Sequence, residues 1–255
     1  MTNIKKIVAG VVAGCALSTA AFANDNKTFT YEVSITNLTN APFLSEPVVA
    51  IHNKNFKLFE LGQPNSSPGL EVVAETGSPT VLVAELGTNA DVYKVEYMMG
   101  SAPNGGAVPG ETITGTFEAT RQFKYVSVYA MIAPSNDSFV SANAVHGPGR
   151  GKAVTIFSPA YDAGTEANNE LCDRTAGGVT PGDPDSIPVP PPMRPMICVF
   201  NPTIPAPPTA AVGAPGEGPI LISRAFQGIG DLNPAMFDWR NPTAKIVIKR
   251  VKTER

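Results

Sequence analysis

Polar and apolar residues alternate along most of this chain. Near its start, Phe29, Tyr31, Val33 and Ile35 are separated by polar residues, which is the period of a strand with one buried face. Similar runs, divided by Gly- and Pro-containing turns, predict further strands at residues 48–52, 81–86, 92–98, 112–119, 125–132, 154–157, 220–223 and 245–251. Many short strands with little helical periodicity indicate an all-β fold, an antiparallel β-sandwich.

Two segments depart from this alternation. Residues 68–76, which end at Gly77, predict one short helix. Residues 173–218 contain about half of the 25 prolines, so this stretch cannot join a sheet ladder and is expected to form a long Pro-rich surface loop. The chain after the predicted signal, residues 24–255, is long enough for one large β domain or two small ones, and we expect a single domain.

Residues 1–23 have the pattern of an export signal. Lys5 and Lys6 precede an apolar core over residues 7–17, and Ala21-Phe22-Ala23 forms a small-x-small cleavage site. The apolar core is too short to span a bilayer. An alternative is a lipobox ending at Cys15, which would be acylated. We expect cleavage after Ala23 and a periplasmic or secreted protein.

Two cysteines, Cys172 and Cys198, follow the predicted signal. In an oxidising compartment such a pair predicts a disulfide, which would stabilise the fold by roughly 3.5 kcal/mol in the chain-entropy model. A two-thiolate metal site is the alternative, although this segment offers no obvious His or carboxylate partners.

The composition narrows the function. The net charge is −3 and no basic patch stands out, so nucleic acid is not an expected partner. His52 and His146 are the only histidines, and we expect both to be structural. The sequence lacks the metal-ligand and nucleophile motifs of common hydrolases, so no enzyme is predicted. Trp239, the single tryptophan, is expected to anchor the last strand to the core.

Two acidic loops follow strand-like runs. The first, residues 135–139, contains Asp137, and the second, residues 161–166, contains Asp162 and Glu166 around Gly164. Carboxylates at neighbouring loop tips are ligands for a hard cation such as Ca²⁺. The alternative is that Asp162 caps a turn, Asp137 forms an Asx-turn and Glu166 is solvated. Residues 168–170 extend the second loop and are expected to be solvated, with the supply of a further oxygen ligand as the alternative.

These segments, in this order, resemble the spondin domain, the N-terminal module of F-spondin and mindin. The matching segments are residues 31–39 (YEVSITNLT), 74–77 (AETG), 130–140 (AMIAPSNDSFV), 161–166 (YDAGTE), 228–232 (GIGDL) and 238–245 (DWRNPTAK). The resemblance implies a C2-like β-sandwich that binds one Ca²⁺ through Asp137, Asp162 and Glu166. Glu166 stands where animal members carry Asp.

The resemblance also implies a role in extracellular attachment. The sequence-based hypothesis is therefore an exported calcium-binding module that contacts an unidentified extracellular or envelope protein or glycan surface. One alternative is a structural envelope protein without a functional metal. Another is a secreted hydrolase that uses the paired carboxylates as acid and base.

Overall fold

The computed structural model describes residues 28–102, 105–170, 218–230 and 232–251. The predicted signal peptide (1–23) and the predicted disulfide between Cys172 and Cys198 lie outside the described residues. Of the predicted Pro-rich loop, only Gly218 is described.

Eleven strands and three helices are described. They are β1 (Phe29–Asn37), β2 (Phe43–Leu44), β3 (Val48–His52), α1 (Pro68–Thr76), α2 (Thr80–Gly87), β4 (Val92–Tyr97), β5 (Thr112–Ala119), β6 (Tyr125–Ala133), β7 (Ser138–His146), β8 (Ala153–Ser158), β9 (Ala160–Asp162), β10 (Leu221–Ile222), α3 (Pro234–Phe237) and β11 (Ala244–Arg250).

The strands form two antiparallel sheets, which confirms the predicted all-β sandwich. One sheet has the order β5-β1-β11-β8, and the larger has the order β10-β9-β7-β6-β3-β4, with β2 paired to β6. The main core is built from apolar residues of both sheets, including Val33, Ile51, Val128 and Ile246, together with Trp239 as predicted. Burying one face of each sheet in this way provides the main driving force for folding.

The first and last described strands pair along almost their whole length. In β1, buried and partly exposed residues alternate from Phe29 to Ser34. Val33 and Ile35 lie opposite Ile248 and Ile246 of β11. Because β1 also pairs with β5, it occupies the interior of its sheet. The alternation in the sequence therefore corresponds to a strand that has one face in the core.

The larger sheet is covered on its outer face by the two longer helices. Leu70 and Val73 of α1 and Leu82 of α2 pack against Tyr129 and Phe139 of β6 and β7 in a second apolar cluster. Strand β6 is therefore buried on both faces over residues 126–133. This double burial explains why its sequence is nearly all apolar rather than alternating.

The prediction of a strand over residues 81–86 is wrong, because this segment is helix α2. Leu82 and Leu86, four residues apart, share one helical face and are both buried. The helix packs closely on α1, where a Cβ at Gly69 would lie 2.5 Å from the Cα of Leu82. The predicted helix over residues 68–76 is confirmed, with Ser67 as its N-cap and Gly77 in the left-handed conformation at its end.

Asn37, at the end of β1, organises one end of the sandwich. Its Nδ2 donates hydrogen bonds to the carbonyls of Pro42 and Ala107 at 2.9 and 3.0 Å. Its Oδ1 accepts from the backbone N and the hydroxyl of Thr39 at 2.9 and 2.8 Å. The side chain is fully buried, so these four bonds replace water completely.

We expect Asn37→Ala to lower the free energy of unfolding by about 3 kcal/mol, because it removes four buried hydrogen bonds and leaves the buried Thr39 N–H without its acceptor. Urea denaturation followed by circular dichroism measures this loss. The exposed Asn55→Ala serves as the control, with an expected change within about 0.5 kcal/mol. Equal effects of the two variants would contradict this role for Asn37.

Candidate functional site

Asp137 lies in the turn that joins β6 to β7. The turn starts after the cis Ala133–Pro134 peptide bond and is closed by Ser135. The Ser135 hydroxyl donates to the carbonyl of Ile132 at 2.6 Å and accepts from the backbone N of Ser138 at 3.0 Å. Asp137 is thereby held at the end of the larger sheet and is fully buried.

Strand pairing brings Asp162 next to this turn. β9 pairs with β7, and Asp162, its last residue, lies opposite Ser138. The following residue, Ala163, donates its backbone N–H to the carbonyl of Asp137 at 3.2 Å. Although 25 positions apart in the sequence, Asp137 and Asp162 are therefore neighbours through the sheet register.

The Asp137 carboxylate holds the second acidic loop in place. Its Oδ2 accepts hydrogen bonds from the backbone N of Thr165 at 2.8 Å, the hydroxyl of Thr165 at 3.2 Å and the backbone N of Glu166 at 3.1 Å. These long-range bonds replace the local Asx-turn that was the alternative for Asp137. Its Oδ1 is buried and has no hydrogen-bond partner among the described residues.

The second loop needs glycine at its tightest point. Gly164 has a φ of +66°, and a Cβ there would lie 2.5 Å from the carbonyl oxygen of Gly218. Asp162 caps this turn, since its Oδ1 accepts from the backbone N of Gly164 at 2.8 Å. Its Oδ2 accepts from the Asn168 side chain at 2.5 Å. Asp162 therefore makes the turn-capping contact that was the alternative to a metal-ligand role, and it also lies beside Asp137.

Burial and the nearby charge of Asp162 raise the pKa of Asp137 to about 7, despite the three hydrogen bonds that favour its ionised form. Tyr129 and Phe139, whose ring centroids are 4.4 Å apart, pack in the apolar cluster next to this site. Burial, with a smaller contribution from the Asp137 charge, raises the pKa of Tyr129 well above its ordinary value. At neutral pH the ionised form of the Asp137 carboxyl is therefore costly in free energy.

Glu75, in the last turn of α1, is a further acidic residue that the sequence analysis did not assign to this site. Its carboxyl interacts with the Thr165 side chain, while burial and the charge of Glu71 raise its pKa to about 7. The Thr165 hydroxyl lies between the carboxyl groups of Glu75 and Asp137. Because it carries one proton, it can donate a hydrogen bond to one of them at a time. Helix α1 is thus connected to the acidic loop. Its place in the AETG segment is the sequence signal that could have identified Glu75.

The oxygen-rich chemistry of this site suits a hard cation. Asp137 contributes a buried carboxylate oxygen, Asp162 contributes a second carboxylate, and both carboxylate oxygens of Glu166 are buried rather than solvated. Within the described ranges, no group of three or more His, Cys, Asp or Glu side chains is arranged to hold a metal ion. The structure thus brings Asp137 and Asp162 together, and joins Glu166 to them through its backbone N–H.

The prediction that residues 168–170 are solvated is wrong. Asn169 accepts a hydrogen bond from the Asn136 side chain at 3.1 Å, and the Asn136 Oδ1 accepts from the backbone N of Glu170 at 3.1 Å. Glu170 is 3% exposed. Polar residues in this loop form hydrogen bonds with the neighbouring turn instead of with water. The amino-acid composition alone cannot distinguish a loop with such internal bonds from a solvated one.

The Glu170 carboxylate is bound by successive backbone N–H groups. It accepts from Gln227, from Gly228 at 2.8 Å and from Ile229 at 3.0 Å. Gly230 packs so closely that a Cβ would lie 2.2 Å from the Glu170 carbonyl oxygen. The acidic loop is therefore tied to the segment that precedes α3.

The environment of His52 agrees with the structural role expected of it. His52 is buried, with Nε2 2.9 Å from the Ser127 hydroxyl and Nδ1 2.7 Å from the Asn53 carbonyl. Burial lowers its pKa, which favours the neutral ring. His146 ends β7 and packs edge-on against Tyr125 at a centroid distance of 5.1 Å.

We expect the stability of the protein in EDTA to fall as the pH rises from 5 to 8. The folded-state pKa of Asp137, about 7, lies above its ordinary value of 3.8, so its stabilising proton is lost in this window. The free energy of unfolding should drop by roughly 2–3 kcal/mol from this residue. Urea denaturation at several pH values measures the slope.

Asp137→Asn should flatten this slope, because the amide is uncharged and its oxygen can still accept from Thr165 and Glu166. Glu75→Gln is the matched variant and should also reduce the slope. The raised pKa of Glu75 makes its own contribution to the pH dependence, and that contribution has the same sign. An unchanged slope in Asp137→Asn would show that Asp137 does not titrate in this range.

A comparison with protein-family models matches residues 27–169 to Spondin_N. The match covers more than half of the chain and includes Asp137, Asp162 and Glu166. No curated protein matches the chain. Among the residues that the structure describes, no helix has the length and apolar character needed to cross a membrane. The sandwich fold and this match together establish that the chain belongs to the Spondin_N family.

Proposed function

We propose that this chain is an exported module that binds one Ca²⁺ at the loop end of the sandwich and uses that end for attachment. Membership of the spondin family points to an extracellular domain. The export signal over residues 1–23 and a non-enzymatic role are parts of the same proposal.

One observation carries the calcium part of the proposal. Asp137 Oδ1 is buried, lacks a hydrogen-bond donor among the described residues, and belongs to a carboxyl whose pKa is raised by burial and by the charge of Asp162. Two close carboxylates, one of them buried, repel each other unless a proton or a cation is bound. A divalent cation would remove this repulsion and would occupy the coordination position that Oδ1 offers.

Asp137, Asp162 and Glu166 are the proposed ligands. A calcium ion takes six to eight oxygen ligands, so backbone carbonyls and water would supply the remainder. Glu166 is held beside Asp137 through its backbone N–H, and its buried carboxylate would supply the third protein ligand. The ion would supply charge neutralisation and a rigid connection between the two loops, rather than chemistry.

The attachment surface is proposed at the same end. The turn before β7, the loop after β9 and the last turn of α1 meet there through Asp137, Thr165 and Glu75. A cation that fixed their relative positions would pre-organise this surface for an extracellular or envelope partner, which lowers the entropic cost of binding.

A metal-free structural module is the second candidate, and the pKa of Asp137 favours it. At a pKa of about 7, a proton can neutralise Asp137 in place of a cation. The carboxyl would then serve only to hold residues 165–166 through its three hydrogen bonds. Calcium titration distinguishes the two candidates.

At pH 7.5 we expect millimolar Ca²⁺ to raise the melting temperature relative to EDTA, and Asp162→Asn to abolish this rise. A ligand at 100 times its dissociation constant stabilises the native state by about 2.7 kcal/mol, which calorimetry detects readily. Stabilisation should be weaker at pH 5.5, because Ca²⁺ must displace the proton of Asp137.

Glu96→Gln is the matched control, since it removes a partly exposed carboxylate on β4 and should keep the full calcium response. Identical melting curves in Ca²⁺ and EDTA for the wild-type protein would exclude the calcium site and favour the metal-free module.

A further inference from the structure

The edge strands of the two sheets differ in how they are protected against pairing with another chain. In the larger sheet, the edge strand β4 carries Lys94 and Glu96, and the edge strand β10 has only two residues. In the smaller sheet, the edge strand β5 carries Glu118. Charged side chains and short strands both discourage pairing at an edge. The other edge strand of the smaller sheet, β8, has neither kind of protection.

β8 is an uncharged strand of six residues, Ala153–Ser158. Among the strands that the structure describes, it pairs only with β11. The Phe157 side chain is 59% exposed, and Ala153 and Thr155 are exposed on the same outer face. An exposed, uncharged edge strand of this length is a template for pairing with another strand.

The register with β11 determines where the backbone groups of β8 point. The backbone N–H of Arg250 in β11 donates to the carbonyl of Lys152 at 3.0 Å. In an antiparallel ladder, every second residue directs both of its backbone groups to the same neighbouring strand. Residues 152, 154 and 156 therefore face β11, whereas the N–H and C=O groups of residues 153, 155 and 157 point towards the free edge.

We propose that β8 pairs with β8 of a second copy of this chain, antiparallel and about a two-fold axis at Thr155. A two-fold interface uses the same surface on both copies, so the strand must be complementary to itself. With the two Thr155 residues opposite each other, Ala153 lies opposite the second copy's Phe157, and Val154 opposite its Ile156. Residues 153, 155 and 157 then pair only among themselves, so the backbone groups at the two free edges meet.

The side chains also suit this register. On the outer face, each Phe157 ring would lie beside the small Ala153 side chain of the other copy, and the two Thr155 side chains would meet at the axis. On the inner face, Val154 and Ile156 are partly buried at the margin of the main core. Contact between Val154 of one copy and Ile156 of the other would remove further apolar surface from water.

The charges next to β8 do not oppose this pairing. Lys245 and Lys249 of β11 lie opposite Phe157 and Ala153 of β8. In the proposed pair, Lys245 of one copy and Lys249 of the other are three strand spacings apart, which is about 14 Å. At physiological ionic strength, charges on the surface are largely screened over such a distance.

This inference goes beyond the proposed function and does not depend on calcium, because β8 contains no carboxylate. A six-residue edge is much smaller than a standard interface, which takes about 20–30 residues from each partner. We therefore expect a weak dimer, with a dissociation constant on the order of 100 μM.

Sedimentation velocity of the wild-type protein, purified after export, tests the dimer. We expect the weight-average sedimentation coefficient to rise towards that of a dimer between about 10 μM and about 1 mM protein. The rise should be the same in Ca²⁺ and in EDTA, which separates this proposal from the calcium site. A monomer at every concentration would overturn the proposal and leave the β8 edge to a strand of a different protein.

Thr155→Lys and Thr155→Glu test the position of the axis. Each variant alone would bring like charges together at the axis, so its self-association should be at least tenfold weaker. An equimolar mixture of the two variants should associate again, because the two substituted positions then carry opposite charges. Thr155 is exposed, so both variants should keep the fold, which circular dichroism checks.

Thr114→Lys is the matched control. Thr114 is an exposed threonine on the outer face of the same sheet, in the same row as Thr155 but on the opposite edge strand, β5. This variant should associate as the wild-type protein does. Wild-type association of Thr155→Lys, or a mixture of the two Thr155 variants that stays monomeric, would overturn the proposed pairing.

Discussion

The Asp137 carboxylate is the interaction on which the loop end of this structure depends. One of its oxygens holds the backbone of residues 165–166 across the end of the sheet, and the other is buried and has no hydrogen-bond donor in the part of the chain that the structure describes. Removing a carboxylate from water is costly, and its three hydrogen bonds offset that cost only in part. The loop is therefore ordered by a group that is itself destabilised when it is ionised.

The surrounding fold makes this arrangement possible. The apolar cluster between α1, α2 and the larger sheet lies beside the turn that carries Asp137, and excludes water from it. The pairing of β7 with β9 sets the position of Asp162. The end of α1 adds Glu75, which shares Thr165 with Asp137. Each acidic group is positioned by a different element, so the electrostatics of the site depend on the packing of the whole domain.

The sequence predicted the sandwich and selected Asp137 and Asp162 as candidate residues, because both inferences rest on local patterns, whereas the contact between the two residues depends on the pairing of β7 with β9. Alternation identified β1, and carboxylates directly after strand-like runs identified Asp137 and Asp162. Residues 81–86 were assigned wrongly, because a short apolar run fits a helix and a strand equally well. β7 was not predicted, since its Ser, Ala and Asn residues show no clear alternation. The roles of Glu75 and Glu170 depend on neighbours that are distant in the sequence, which no local pattern encodes.

The bonds of Glu170 to residues 227–229 also affect how the chain can vary. The hydrogen bonds from Gly228 and Ile229 to Glu170 join two points of the chain that are separated by 57 residues, 171–227. Once two points of a chain are fixed, the entropy of closing the interval between them grows only logarithmically, by about 0.6 kcal/mol for each doubling of its length. A change in the number of residues between Glu170 and Gly218 should therefore cost the sandwich little, as long as Ile220 and β10 keep their places. New sequence can be acquired there at a small cost to the fold, because the two ends stay joined through Glu170.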